Sequence, residues 1–228
     1  MSVTSGLAAI KKMQQEQAAR RAEMDRPRAK WFKAGANETR NIRFLQELDE
    51  ESEAYNAEKG LTIFAVEHSP AGNEGWKFRV LCTLEEEGRC YFCELNQEDP
   101  ELGLKQKTNF YANIVDEDGE IKVFSRSAYS TVVNTLTEYY DEEGNITDTG
   151  WRISKSGSGR NTQWSALPSK KMPQIKDGET IVDLRETVIR HIAYPEQQVA
   201  WEKFAGSNAT ESESPKSDAS ADDDSVDW

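Results

Sequence analysis

The sequence predicts a mainly β fold with peripheral helices and a small metal-binding subdomain inserted in it. Three observations carry this expectation. Short runs of alternating apolar and polar residues recur between residues 40 and 168. Two of those runs are joined by turn-forming Asp, Gly and Ser clusters. All three cysteines of the chain fall in one short stretch, preceded by one of its two histidines.

In chain order, residues 1–30 predict a basic helical arm. SGLAAIKKMQQEQAARRAEM is rich in good helix formers, with Ser5 placed to cap it and Pro27 to end it. Its apolar stripe of Leu7, Ile10 and Met13 is narrow, so it fits either a solvated helix or an arm that contacts nucleic acid or a neighbouring subunit. Alternation then predicts strands over 40–47, 61–68 and 76–82, the last placing Trp76, Phe78, Val80 and Cys82 on one face. Residues 108–115 and 120–125 flank Asp116-Glu117-Asp118-Gly119 and read as a hairpin. Residues 127–140 carry Val132, Val133, Leu136 and Tyr140 at helical spacing. A second hairpin is expected from 151–155 and 161–168 around Ser156-Gly157-Ser158-Gly159-Arg160. Ile181, Leu184, Val188 and Ile192 form a stripe that predicts a packing helix over 179–192, and 197–204 also reads as helical.

Five or six short strands with an inserted helix fit an OB-fold-like Greek-key barrel, although composition does not choose that over another small barrel or sandwich. The division expected is an arm over 1–30, a core over 31–205 with a metal subdomain at about 61–100, and a disordered acidic tail over 206–228, which is Ser/Ala/Asp-rich with nothing to bury before its last residue.

The metal motif is the most specific signal. His68, Cys82, Cys90 and Cys93 read H-x13-C-x7-C-x2-C. Four such ligands closed by a C-x2-C knuckle suit a structural, tetrahedral Zn2+ site. The alternative, a buried Cys82 with two free thiols, requires chance to gather every cysteine. A catalytic zinc is not expected, because no Glu stands two positions after His68 as in the deaminase pattern. His191, on a separate predicted helix, reads as an ordinary histidine. Gly157-Ser158-Gly159 lacks the Lys-Ser/Thr of a phosphate loop. No Ser-His, Cys-His or paired-carboxylate constellation stands out, so an enzyme is not expected.

The net charge is −13. Residues 1–43 carry ten Lys/Arg against four acids, and residues 206–228 carry seven acids against Lys216. Such asymmetry signals nucleic-acid or tail interactions. There is no membrane-length apolar run and no export signal, so a reducing cytoplasm is expected. Basic and aromatic residues interleave on the predicted strands: Trp76, Lys77 and Arg79; Lys105, Lys107 and Tyr111; Arg152, Lys155, Arg160 and Trp164, with Arg43 upstream. Cations track a phosphate backbone and exposed rings stack on unpaired bases, so these residues are the expected contacts to single-stranded DNA. Strand alternation sends about half of such rings into a core. The tail ends Asp222-Asp223-Asp224-Ser225-Val226-Asp227-Trp228, an acidic run closed by one large aromatic, which suits a docking peptide.

This order of parts resembles the phage single-stranded DNA-binding proteins of the T-even helix-destabilising type, in which one His and three Cys bind zinc within an OB-fold. GNITDTGWRISKSGSGRNTQWSALP is similar to a segment of related phage DNA-binding proteins through Gly144, Asp148, Gly157, Gly159, Thr162 and Pro168. The ligand spacings differ and the arm is longer. The resemblance implies action in DNA replication, recombination or repair, with replication or recombination proteins recruited through Asp222, Asp223, Asp224, Asp227 and Trp228. It leaves self-association on DNA open. The competing reading is a zinc-stabilised adaptor or transcription regulator of phage origin, in which Cys cluster and tail both bind protein.

Overall fold

The computed structural model describes Lys11 and residues 29–71 and 75–211. The helix expected within 1–30 and the tail beyond Glu211 therefore lie outside the described residues.

Seven strands form one antiparallel sheet: β1 (Thr39–Phe44), β2 (Ile63–His68), β3 (Val80–Leu81), β4 (Gln106–Val115), β5 (Ile121–Ser127), β6 (Gly150–Ser156) and β7 (Gln163–Ser169). The hydrogen-bonded order is β3-β2-β4-β1-β6-β7, and β5 pairs with β4 off that path. Among the described residues five α-helices accompany it: α1 (Leu84–Glu87), α2 (Tyr91–Glu98), α3 (Thr131–Glu143), α4 (Leu184–Val188) and α5 (Tyr194–Glu211).

Both expected hairpins form, for local reasons. In the β4–β5 turn the Asp116 side chain accepts from the amides of Asp118 and Glu120, and Gly119 supplies a φ of 77°. In the β6–β7 turn Gly157 has φ 75°, and a Cβ there would meet the Asn161 carbonyl oxygen at 2.4 Å. Helix α3 is capped by Ser130, whose Oγ accepts from the Val133 amide, and ends at Gly144 in the left-handed region.

Strand alternation places the main core. Phe44, Phe110, Ala112, Ile114, Phe124, Trp151 and Ile153 point to one side, where Val132, Val133 and Leu136 of α3 cover them. Opposite faces of β4 and β5 carry Tyr111 and Val123 in a second cluster with Leu184, and Val115 and Ile121 in a third.

The expected closed barrel does not form. No ladder among the described residues joins β5 to β7; α3 packs on both, and side chains rather than backbone bridge the gap. Two elements also differ from expectation. Within 76–82 only Val80 and Leu81 are strand, because β2 ends at His68 opposite Val80 and the earlier residues have no neighbour to pair with; Gly75–Lys77 form a 3-10 turn instead. The helix expected over 179–192 shrinks to α4. Its apolar stripe is shared among three clusters, with Ile181, Leu184 and Ile192 each in a different one. The Val182 backbone pairs with the Asn113 side chain and the Arg190 carbonyl with the Leu81 amide, so this segment is mostly a strap. Helix α5 begins earlier than expected and runs to Glu211, into the residues assigned to a disordered tail. Its first turns are held by Trp201 and Phe204 on Phe78, and helix elongation past such an anchor is cheap.

Phe44 is fully buried against Phe110, Phe124 and Trp151. Phe44→Ala should cost about 3–5 kcal/mol, read as a lower urea midpoint at unchanged slope.

Candidate functional site

His68 is the last residue of β2, and Cys82 follows β3, its neighbour in the sheet. Cys90 is the N-cap of α2 and Cys93 lies in its first turn. Positions three apart at a helix start share a face, so the C-x2-C spacing aims both sulfurs one way. The segment between β2 and β4 thus folds back to bring all four donors together.

Their ligating atoms lie within 4.8 Å of one another. Cys82 Sγ is 3.7 Å from Cys93 Sγ, and His68 Nε2 is 3.5 Å from both Cys90 Sγ and Cys93 Sγ. A tetrahedral ion with metal–sulfur bonds of about 2.3 Å and metal–nitrogen bonds of about 2.0 Å requires edges of roughly 3.8 and 3.5 Å. Three edges match that geometry, and the cluster could hold a metal ion.

The surrounding groups prepare these ligands. His68 Nδ1 sits 2.6 Å from the Leu104 carbonyl oxygen, to which it donates, and this turns Nε2 towards the sulfurs. Gln106 at the start of β4 donates to Cys82 Sγ at 3.1 Å and to Cys93 Sγ at 3.5 Å. Fully buried Gln197 of α5 binds the Tyr91 amide, Thr83 Oγ1 and the Ile192 carbonyl, tying both cysteine-bearing turns to the C-terminal helix. Neither glutamine was singled out in the sequence, since nothing local marks it. Phe78, Phe92 and Leu104 form the apolar surround.

Among themselves the four groups shift one another. Burial opposes charge on His68, but the contacts with Cys90 and the Leu104 carbonyl prevail and lift it to about 9. Burial alone would raise Cys90; the His68 imidazole outweighs it and brings the thiol down to about 6. Cys93 is pushed up to about 12 by burial, then by Cys82 and Cys90. His191 stands apart beside Glu86 and Glu87.

The expected DNA contacts divide. Arg152 is exposed on β6, and Lys155 on the same strand pairs with Trp164 of β7. Trp164 is half-buried, with Lys155 Nζ 5.7 Å from its ring centroid. Lys77, Lys105 and Lys107 are exposed near the metal cluster. Lys107 Nζ reaches Ser69, and burial then Arg79 lower its pKa. Arg43 is half-buried on β1, opposite Val115. The side chains of Trp76 and Arg160 lie outside the described residues, as do Asp222, Asp223, Asp224, Asp227 and Trp228.

Tyr111 requires correction. Its ring is fully enclosed, its hydroxyl donates to Glu67 and accepts from Arg79 at 2.7 Å, and it cannot stack on a base. The alternation of β4 sends it to the face covered by α4. Arg79, expected as a DNA contact, is half-buried in that pair.

Two residues missed in the sequence stand on the opposite face. Phe64 of β2 is 52% exposed, and Arg126 of β5 is only 6% exposed. The registers Phe64↔Phe110 and Phe110↔Arg126 set them in one transverse row. The Arg126 guanidinium lies 3.4 Å from the Trp164 ring centroid, which continues the row to Trp164 and Lys155. Burial lowers Arg126 to about 9, and no carboxylate among the described residues pairs with it. Cation–π stacking returns only about 2 kcal/mol of such a desolvation cost. An isolated arginine in SAYS-preceding FSR carries no sequence signal of this kind.

No family model matches the chain, and comparison with curated proteins and with solved structures yields no similar one. No helix among the described residues is long and apolar enough to cross a membrane.

Metal binding needs a neutral imidazole and thiolates, so at pH 7 both His68 and Cys93 must give up a proton. Affinity should therefore rise with pH through neutrality, and calorimetry in buffers of different ionisation enthalpy should detect at least two protons released per ion. Gln106→Ala should weaken metal binding by about tenfold or more, measured by competition with a chelator.

Proposed function

We propose that the protein is a non-catalytic single-stranded DNA-binding protein with a structural zinc ion, serving DNA replication, recombination or repair. The observation that carries this reading is the row of rings and cations on one sheet face: exposed Phe64, then Arg126 stacked on Trp164, then Lys155. Rings at a surface give sequence-tolerant stacking and the cations give salt-sensitive attraction to phosphates, the pairing that single strands require. The gap between β5 and β7, bridged only by side chains, is the place where an OB-like barrel is interrupted.

Zinc suits three thiolates and one imidazole in a tetrahedral frame. Its place is structural, because all four positions come from the chain and the cluster ties the β2–β4 insertion to α5. The acidic tail, ending in Trp228, serves as a docking peptide for replication or recombination enzymes. It competes with DNA for the cationic face, which reconciles the net charge of −13 with binding to a polyanion.

Tryptophan emission should be quenched by an oligo-dT strand and not by a duplex of equal length. Quenching by neither turns the reading to the protein-binding adaptor, and equal response to an oligo-U strand removes the preference for DNA. Replacing Arg152, Lys155 and Arg160 together by Ala should lower the slope of log affinity against log salt by about 2. An unchanged slope places the groove elsewhere.

A further inference from the structure

Two N–H donors on the row lack acceptors. Arg126 Nε and Trp164 Nε1 are both buried, and neither has a hydrogen-bond partner among the described residues. They belong to side chains stacked on each other, so both donors lie in one small region. The one hydrogen bond of the Arg126 guanidinium goes from Nη1 to the Ser125 carbonyl, at 2.6 Å. Stacking covers the plane of the guanidinium and leaves its edge to hydrogen-bond, which is the way arginine holds a phosphate. Phe124 lies 5.1 Å from Arg126 Cζ, so two rings and the Ser125 carbonyl hold the cation in place. A buried cation with idle donors and no carboxylate lowers stability, and such groups persist where a ligand completes them.

We infer that Arg126, with the indole N–H of Trp164 beside it, anchors one backbone phosphate of a single DNA strand, while the exposed ring of Phe64 stacks on a base of the same strand. The inference rests on the single-stranded DNA reading and adds which residues hold the strand. Phe64 and Arg126 are separated by Phe110 across β4, about 10 Å at two strand spacings. The strand accordingly crosses β2, β4 and β5 rather than running along one of them, with Lys155 as its far cation.

The test uses the full chain, a labelled oligo-dT strand and anisotropy over a salt series, with thermal unfolding alongside. Arg126→Met should lower affinity at least tenfold and reduce the salt slope by about 0.7, the share of one phosphate on a single strand. Its melting temperature should stay equal or rise, because an unpaired buried charge has been removed. Phe64→Ala should lower affinity about tenfold at unchanged slope. A folded Arg126→Met that binds with wild-type affinity and slope overturns the inference. If that variant does not fold, Arg126→Lys decides: it keeps the charge but loses the planar fork, so weakened binding supports the anchor and wild-type binding overturns it. Failure of the wild-type chain to bind oligo-dT is a separate result and removes the single-stranded DNA reading itself.

Discussion

The hydrogen-bonding edges of β4 are the constraint on which the rest of the molecule depends. One edge is divided between β2 along its first half and β1 at its end, and the other edge is taken by β5. Its residues alternate between the main core, through Phe110, Ala112 and Ile114, and the opposite clusters, through Tyr111 and Val115. Its first residue, Gln106, reaches the cysteine sulfurs. A register slip of one residue would exchange the two faces and move Gln106 away from the metal cluster at once. Few strands are specified from so many directions, and this explains why β4 can carry a metal-binding insertion before it and a hairpin after it.

The insertion between β2 and β4 has little core of its own. Phe78, Val80, Phe92 and Leu104 are closed over by Trp201 and Phe204 of α5, from the far end of the chain. A cluster this small buries little apolar area of its own, and on the proposed function a structural ion would add cohesion. The candidate ligands His68, Cys82, Cys90 and Cys93 and the α5 residue Gln197 thus meet on the same segment. The site is thereby tied to α5.

The two faces of the sheet divide polar burial differently. On one, Oε2 of the buried Glu67 carboxylate accepts from Tyr111 and Asn109, while its Oε1 has no partner among the described residues. Burial raises its pKa, and the two donors oppose that shift. On the other, Arg126 has rings and a single carbonyl. A fold under selection for stability alone would not retain that arrangement, and on the proposed function a phosphate completes it.

Much of the architecture was legible in the sequence because it is encoded locally. Asp116 and Gly119 turn one hairpin, Gly157 the other, Ser130 and Gly144 delimit α3, and the alternation of β1, β2, β4, β6 and β7 follows the side-chain period of a strand. The clustering of His68, Cys82, Cys90 and Cys93 was legible too, since their residue types are rare in this chain and their spacing is specific. What was not legible depends on neighbours remote in sequence. Residues 76–79 have strand alternation but no strand beside them, and the helical stripe of 179–192 serves three separate clusters. Tyr111 and Trp164 both sit among cations in the sequence, yet one is enclosed and the other half-open, because alternation says that faces differ without saying which is covered. The sequence by itself determined the turns, the periods and the candidate metal ligands, which depend on residues a few positions apart. The tertiary structure alone decided the open sheet, the roles of Gln106 and Gln197, and the row from Phe64 to Lys155, because these are set by contacts between segments remote in sequence, such as Thr39 with Ser154 and Thr83 with Gln197, and no local pattern records which edges meet.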